Sequence, residues 1–270
     1  MSENIYRAQL IDPGDRVISA LDEMTWDQAV AHVSEIGAHI GYGKTNSIHQ
    51  RRGADHAIET LAENGLYTMY DAKFHDIPET VKNHVHEATL SGAALITVHI
   101  SGGQKMLESA VAGRDKGRDL TRNVFKKSSI DRIGGLLGIT VLTSLGDDDC
   151  ESIYGIPKSG QDGIKKKVIQ FANMALDAGL DGIVCSGLEL GAIRAQSKFD
   201  RLLAVVPGIT PSFAQKAADQ KRTMSPRDAM EAGADLIVVG RGINKAAEYG
   251  LTKAEAAQAI AEEVKEGLAA

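Results

Sequence analysis

The sequence predicts a (β/α)8 barrel, in which eight parallel strands form a closed sheet and helices cover its outside. Eight short apolar segments alternate with longer helical patterns over 270 residues, a length and rhythm typical of this fold. Hydrophobic residues make up 43% of the chain and aromatics only 4%, which indicates a core of Ala, Val, Ile and Leu. No linker-like segment or shift in charge divides the chain, so we expect one domain over residues 1–270.

The predicted strands are short apolar runs, and helical patterns lie between them. In chain order the strands are VISAL (17–21), AHIGYG (38–43), LYTMY (66–70), AALITVH (93–99), GGLLGITVLT (134–143), LDGIVCS (180–186), LLAVVPG (202–208) and ADLIVVG (234–240). The helices include TWDQAVAHVSEI (25–36), ETVKNHVHEATLSG (79–92) and TKAEAAQAIAEEVKEGL (252–268). A doubly wound open sheet is the alternative fold, but DEMTW follows the first strand where that fold would carry a glycine-rich phosphate loop.

Charge and composition make several classes of protein improbable. The net charge of −6 argues against a nucleic-acid partner or an anionic membrane surface. The start, MSENIYRAQL, does not resemble a secretory signal, and no apolar run approaches the roughly 20 residues that cross a bilayer. Cys150 and Cys185 are too few for a disulfide framework or a zinc site. We therefore expect a cytoplasmic protein.

Charged residues follow several of the predicted strands. Asp22 follows VISAL, Lys44 follows AHIGYG, and the segment DAKFHDIPET (71–80) after LYTMY carries Asp71, Lys73 and Asp76. In a barrel the carboxyl ends of all strands meet at one face, which is where barrel enzymes place their chemistry. Unpaired charge at the end of a buried strand costs several kcal/mol or more, so these side chains are expected to pair with one another. Taken singly, Asp22 could cap a helix and Lys44 could be solvated.

Small residues and an arginine indicate a phosphate site at the same face. VPGIT (206–210) and VVGRGI (238–243) end the seventh and eighth strands, where barrels often bind phosphate. Gly240 would let the backbone approach a ligand, and Arg241 can donate two hydrogen bonds to an oxyanion. The alternative is that the glycines form ordinary turns and that Arg241 is solvated.

No metal site is predicted from the sequence. His84 and His86 resemble a metal-binding pair, but residues two apart on a helix point to different faces. His75, inside the charged segment, is expected to pack or to form hydrogen bonds rather than to transfer protons.

The segment DAKFHDIPET resembles the Asp-x-Lys-x-x-Asp-Ile/Val-x-x-Thr signature of the orotidine 5′-phosphate decarboxylase family. The resemblance extends in order through ALD (20–22), Lys44, VHISGG (98–103), TVLTS (140–144), VPGIT and VVGRGI, and so covers nearly the whole chain. Related barrel decarboxylases and aldolases of sugar phosphates share Asp-x-Lys-x-x-Asp, whereas Ile77, Thr80 and TVLTS favour the orotidine enzymes. The motifs that carry the resemblance do not extend to residues 111–133 and 146–167.

The resemblance implies a role for each matching residue. Asp22 and Lys44 would hold ribose hydroxyls, Asp71 would face the substrate carboxylate, and Lys73 would donate a proton to the carbon that loses CO2. Asp76 and Thr80 would reach into the active site of a second subunit, which implies a homodimer. The remaining contacts to the pyrimidine and the phosphate would come from Thr143 or its neighbour Ser144, Pro207, Gln220, Gly240 and Arg241. Thr210 stands where bacterial members often have Arg, and Ala72 where they often have Leu.

The implied reaction converts orotidine 5′-monophosphate to uridine 5′-monophosphate and CO2 in pyrimidine biosynthesis. Loss of CO2 leaves an electron pair on a ring carbon, and a lysine ammonium can both stabilise that charge and supply the proton. Alternating acids and lysines favour the charged ammonium despite burial. No cofactor and no metal are required.

Three other activities remain alternatives. A sugar-phosphate decarboxylase or aldolase of the same superfamily would use the same carboxylates with Mg2+. A Schiff-base aldolase would need a neutral lysine, which two neighbouring acids disfavour. A barrel that only binds a phosphorylated ligand would leave the acid–lysine–acid group without a purpose.

Overall fold

The computed structural model describes residues 4, 6–121, 133–157, 163–217 and 224–270, and these ranges contain a closed barrel of eight parallel strands. Each strand pairs with the next along the chain, and the eighth pairs with the first. The strands are β1 (Val17–Ala20), β2 (Tyr42–Thr45), β3 (Tyr67–Phe74), β4 (Leu95–His99), β5 (Gly135–Ile139), β6 (Gly182–Val184), β7 (Leu203–Val206) and β8 (Leu236–Val239). The predicted (β/α)8 barrel is confirmed; one domain over residues 1–270 stays a prediction.

Helices follow the strands and cover the outside of the barrel. The described α-helices are α1 (Trp26–Ile36), α2 (His49–Arg52), α3 (Ala54–Glu63), α4 (Pro78–Leu90), α5 (Gln104–Thr121), α6 (Asp147–Tyr154), α7 (Gly163–Ala178), α8 (Gly187–Arg194), α9 (Pro226–Glu231), α10 (Arg241–Asn244) and α11 (Lys253–Leu268). Local sequence defines several of their starts: Thr25 and Thr252 form capping boxes with Gln28 and Glu255, which satisfy amide groups at the first turn.

The core has two parts, as the fold requires. Apolar side chains between the strands and the surrounding helices form the larger cluster, which includes Val33, Val85 and Ile260. A smaller cluster contains Ile18, Met69 and alternate residues of several other strands, and it is buried. Such layers of side chains fill the interior of this type of barrel, so the strands are held from both sides.

Two predicted strand boundaries are wrong in a way that matters for function. The second strand begins at Tyr42 rather than at residue 38, because the amide of His39 bonds to the carbonyl of Ile36 and so extends the turn after α1. Lys44 therefore lies within β2. The third strand continues through Asp71 and Lys73 to Phe74 instead of ending at Tyr70.

The fifth strand is shorter than predicted. It ends at Ile139 rather than at residue 143, so Thr143 lies in the loop that follows. Thr140, directly after the strand, is buried and donates its hydroxyl to the carbonyl of Val184 at 2.8 Å. The backbone amide of Thr140 bonds to the same carbonyl at 3.2 Å, so the residue is tied to β6 by both its backbone and its side chain.

A buried ion pair closes the face of the barrel opposite to the carboxyl ends of the strands. The carboxylate of Asp235, just before β8, is 2.6 Å from Arg7 and 2.6 Å from Arg194. It also accepts the amide of Ala204 at 2.8 Å. Charged groups on this face of a barrel serve stability, whereas the chemistry of barrel enzymes takes place at the other face.

Among the residues that the structure describes, no helix combines the length and the apolar character that a membrane span needs.

Candidate active site

Four of the predicted residues form one continuous chain of ion pairs at the carboxyl ends of β1, β2 and β3. The ammonium of Lys44 lies 3.0 Å from Asp22 Oδ2 and 3.3 Å from Asp71 Oδ2. The ammonium of Lys73 lies 2.6 Å from the same oxygen of Asp71. Asp71 therefore lies between two lysines, and the order along the chain of contacts is Asp22, Lys44, Asp71, Lys73.

The exposure of these groups changes along the chain of contacts. The side chains of Asp71 and Lys44 are only 5% and 11% exposed, whereas that of Lys73 is 34% exposed. The inner pair is thus shielded from water, while the side chain of Lys73 remains about one third exposed. A buried charge pair holds its geometry only when its remaining hydrogen-bonding capacity is also satisfied.

Irregular pairing of β3 brings Asp71 and Lys73 to the same place. Tyr70 pairs with Ile96 and Phe74 pairs with Val98, so three residues of β3 stand opposite the single residue Thr97 of β4. Lys73 has a φ of 50°, in the left-handed region that residues other than glycine rarely adopt. A bulge of this kind redirects side chains, and strained backbone is concentrated at functional sites.

The electrostatic balance favours an ionised Asp71. Burial by itself would raise the pKa of this carboxyl, but Lys44, Lys73 and hydrogen bonds from Lys73 and Thr97 together hold the pKa below its ordinary value. Asp71 is therefore negative at neutral pH, and its charge balances the ammonium beside it.

Sequence reasoning missed further polar neighbours of Asp71. Thr97 Oγ1 donates to Asp71 Oδ1 at 2.9 Å, and Asn46 Nδ2 donates to the Asp71 carbonyl at 3.2 Å. A threonine within the otherwise apolar run LITV was the available signal, because alternate residues of a strand share a face and Thr97 lies two positions before His99. The position of Asn46 close after Lys44 was a weaker signal.

Two histidines lie beside Lys73. The rings of His75 and His99 are 5.3 Å apart, which agrees with a packing role for His75. Burial lowers the pKa of His99, and the charges of His75 and Lys73 lower it further against the opposing effect of Asp71. A neutral His99 at physiological pH adds no positive charge to a site that already holds two lysines.

Asp76 and Thr80 do not join the ion pairs formed by the described residues of their own chain. Asp76 is exposed, and its carboxylate accepts the amide of Ile77 at 2.6 Å. Thr80 is half-buried in the first turn of α4. The side chain of Ile77 between them is 67% exposed.

The predicted phosphate residues lie at the same face of the barrel. Gly240 directly follows β8, and the exposed Arg241 begins the short helix α10. Asn244 Nδ2 donates to the carbonyl of Ala20 at 2.9 Å and so ties this helix to the end of β1. Within the described ranges, Arg241 has no carboxylate partner, so its guanidinium is available to a ligand.

The other predicted contacts are less well defined. Pro207 is half-buried directly after β7, and Thr143 and Ser144 are both exposed, so their exposure does not distinguish between them. Gln220 lies outside the described residues. In the described part of the chain, no three His, Cys, Asp or Glu side chains are grouped as a metal site would need.

Comparison with known proteins assigns the chain to a family. The family model described as "Orotidine 5′-phosphate decarboxylase / HUMPS family" matches residues 15–260. This chain belongs to that family. The match runs from the approach to β1 into the last helix, so the family covers every strand of the barrel.

Individual orotidine 5′-phosphate decarboxylases match this chain along almost their full length. A curated orotidine 5′-phosphate decarboxylase of Heliobacterium modesticaldum is 38% identical over 94% of this chain and 98% of its own length. An orotidine 5′-phosphate decarboxylase of Coxiella burnetii is 35% identical over 87% of this chain and 92% of its own length. The crystal structure of the Lactobacillus acidophilus orotidine 5′-phosphate decarboxylase superposes with a TM-score of 0.73 at 29% identity, covering 93% of this chain and 99% of that one.

Proposed function

We propose that this chain is an orotidine 5′-phosphate decarboxylase, which converts orotidine 5′-monophosphate to uridine 5′-monophosphate and CO2 in pyrimidine biosynthesis. The observation that carries the proposal is the Lys73 ammonium, held 2.6 Å from the buried Asp71 on a side chain that is still 34% exposed. The curated relatives that match at 35–38% identity bear this enzyme's name.

In the proposed reaction, the bond between the ring carbon and the carboxylate breaks and its electron pair stays on the ring carbon. Lys73 Nζ donates a proton to that carbon, and the neutral amine then regains a proton from solvent. The ammonium lowers the energy of the developing negative charge, because a charge fixed in advance stabilises it without reorganisation. Asp71 holds the ammonium in place, and its own charge would repel a substrate carboxylate until neutral CO2 forms.

Binding of the rest of the nucleotide falls to residues around the mouth. Asp22 and Lys44 would contact the ribose, and Gly240 and Arg241 would hold the phosphate. Pro207, Gln220 and Thr143 or Ser144 would contact the base and the phosphate. Phosphate binding far from the reacting carbon contributes energy that holds the ring in a reactive position.

A homodimer would complete the site. Asp76 and Thr80 follow β3 and, within the part of the chain that the structure describes, join no ion pair; the exposed Ile77 beside them would be covered by a second subunit. Asp76 of one subunit would then approach Lys73 of the other. We propose the cytoplasm as the location, since the phosphorylated substrate is a charged molecule that stays inside cells.

The alternative within the family is an Mg2+-dependent decarboxylase or aldolase of sugar phosphates. Such an enzyme needs carboxylate oxygens free for the metal. Here both oxygens of Asp71 accept from groups of the chain, Oδ1 from Thr97 and Oδ2 from two lysines. Because both Asp71 oxygens already accept hydrogen bonds, neither is free to bind Mg2+, and this favours the metal-independent orotidine reaction.

The absorbance spectrum of orotidine 5′-monophosphate, incubated with purified protein and excess EDTA, tests the proposal. Conversion to the spectrum of uridine 5′-monophosphate is the expected result. An unchanged spectrum with folded protein would contradict it, and the assay would then be repeated on sugar phosphates with Mg2+. Conversion that EDTA abolishes would contradict the metal-independent mechanism.

A further inference from the structure

Thr97 occupies a position that no role in the proposed reaction yet explains. It lies in β4, its side chain is fully buried at 0% exposure, and it contacts both residues that carry the proposed proton transfer. Its hydroxyl donates to Asp71 Oδ1 at 2.9 Å. The same oxygen accepts the backbone amide of Lys73, also at 2.9 Å.

The second of these contacts replaces a bond of the sheet. Because three residues of β3 stand opposite Thr97 alone, the Lys73 amide does not follow the regular pairing of the strands. A buried amide without an acceptor is unfavourable, and the Thr97 hydroxyl supplies the acceptor. It thereby supports the left-handed backbone of Lys73, whose φ is 50°.

The hydrogen bond from the Thr97 hydroxyl gives the two oxygens of the Asp71 carboxylate different partners. Oδ1 accepts the hydroxyl of Thr97, and Oδ2 lies 2.6 Å from Lys73 and 3.3 Å from Lys44. A β-branched side chain has few χ1 rotamers, so the direction of the hydroxyl is well fixed. The plane of the carboxylate is then fixed as well, and with it the oxygen on which the Lys73 ammonium rests.

We propose that Thr97 is a positioning residue of the decarboxylation reaction, acting on Lys73 through both the backbone amide and the Asp71 carboxylate. Without the Thr97 hydroxyl, the Asp71 carboxylate can rotate, so that either of its oxygens can bind either ammonium. The backbone amide of Lys73 in the bulge also loses its hydrogen-bond acceptor. This inference rests on the proposed function, because it assigns Thr97 to the proton transfer by Lys73.

The test compares isosteric and conservative variants. Thr97→Val removes the hydroxyl with little change of shape, and Thr97→Ser restores it. Thr68→Val is the matched control: Thr68 is a buried threonine of β3, 2% exposed, whose hydroxyl has no hydrogen-bond partner among the described residues. Turnover of orotidine 5′-monophosphate and the inhibition constant of uridine 5′-monophosphate are measured for each variant, after circular dichroism has verified the fold.

We expect kcat of Thr97→Val to fall about ten- to a hundredfold, as a misplaced reacting group does. The inhibition constant of the product should change little, because the phosphate and ribose contacts are intact. Thr97→Ser should recover most of the turnover, and Thr68→Val should match wild type. If Thr97→Val does not fold, Thr97→Cys takes its place, since a thiol is only a weak donor.

Three results would overturn the inference. They are a wild-type kcat in Thr97→Val, an equal loss in Thr68→Val, and a failure of Thr97→Ser to recover turnover. Inactive wild-type enzyme would overturn the proposed function itself, and is thus distinguished from a failure of the inference alone.

Discussion

The Nζ atom of Lys73 lies 2.6 Å from Oδ2 of Asp71, although the two residues belong to one strand and are separated by a single residue. Alternate residues of a regular strand point to the same side about 6.6 Å apart, as the rise per residue dictates. The long lysine side chain spans that backbone spacing, and the bulge opposite Thr97 and the left-handed backbone at Lys73 set the direction from which it approaches.

The first prediction concerns Lys73. Replacement by alanine removes both the proposed proton donor and the positive charge beside the reacting carbon, so kcat should fall by at least about a thousandfold. Binding of uridine 5′-monophosphate should remain, because the proposed phosphate residues are at the ends of other strands. Single-turnover assays and product titration measure the two quantities.

Lys265→Ala is the control for the loss of a lysine. Lys265 lies near the end of α11, where it pairs with Glu262 at 3.2 Å and is 64% exposed. This variant should keep wild-type turnover. Substantial turnover by Lys73→Ala would contradict the role assigned to Lys73.

Much of this site could be predicted from the sequence, since Asp22, Lys44, Asp71 and Lys73 follow or end apolar runs whose order specifies the barrel. The pairing of Asp71 with Lys73 was expected from the sequence, but its geometry could not be predicted. It depends on a shift of register against β4, which follows from packing across two strands rather than from the composition of either one.

The same limit explains the errors at Lys44 and Thr143. The run AHIGYG is apolar enough for a strand, but a turn after α1 uses its first residues, and the amide of Gly41 bonds to the carbonyl of Gly14. Pairing then begins at Tyr42. Hydrophobicity indicates that a strand exists, and contacts with distant segments determine where it starts and ends.

The second prediction concerns the phosphate contact. Arg241→Ala should lower kcat/KM for orotidine 5′-monophosphate about ten- to a hundredfold, the effect of losing a hydrogen bond from a charged group worth roughly 1.5–3 kcal/mol. With the nucleoside orotidine, which has no phosphate, the kcat/KM of Arg241→Ala should equal that of wild type. Steady-state kinetics with both substrates measure the difference.

Arg227→Ala is the matched control for Arg241→Ala. Arg227 lies on α9, where it pairs with Glu231 at 2.7 Å and its side chain is 53% exposed. It should leave both substrates unaffected. An equal effect of Arg241→Ala on nucleotide and nucleoside would exclude a specific contact to the phosphate.

The third prediction tests whether Asp76 acts in the neighbouring subunit. Lys73→Ala and Asp76→Ala should each be nearly inactive as homodimers. A mixed dimer, purified with two different affinity tags, contains one site in which both residues are intact if Asp76 crosses the interface. It should then turn over at about half the wild-type rate, since one of two symmetric sites is restored.

An Asp76 that served its own subunit would give the opposite result. Both sites of the mixed dimer would then lack one residue, and no activity would return. Sedimentation velocity on the wild-type chain establishes separately whether a dimer forms, and a monomer would contradict the proposed assembly.

The fourth prediction concerns acid stability and depends on His32, which is buried on α1 with its Nε2 2.9 Å from Ser19 Oγ. Burial, with a smaller effect of Lys253, lowers the pKa of His32 from 6.5 to about 4. The unfolded chain therefore binds a proton at higher pH than the folded chain does. The contribution of neutral His32 to the free energy of unfolding is fully present above about pH 6.5. It decreases as the pH falls toward 4, and the total decrease is about 3 kcal/mol.

Urea unfolding of wild type and of His32→Gln at pH 7 and pH 4.5 measures this contribution. The variant keeps a hydrogen-bonding side chain but cannot titrate, so its free energy of unfolding should decrease less between the two pH values. His56→Gln, at an exposed site beside Trp26, is the control and should retain the wild-type dependence. If the free energy of unfolding decreased as much in His32→Gln as in wild type, groups other than His32 would account for the acid sensitivity. The buried Asp71 carboxylate is one such group, because a carboxyl with a lowered pKa also stabilises the fold less as the pH falls.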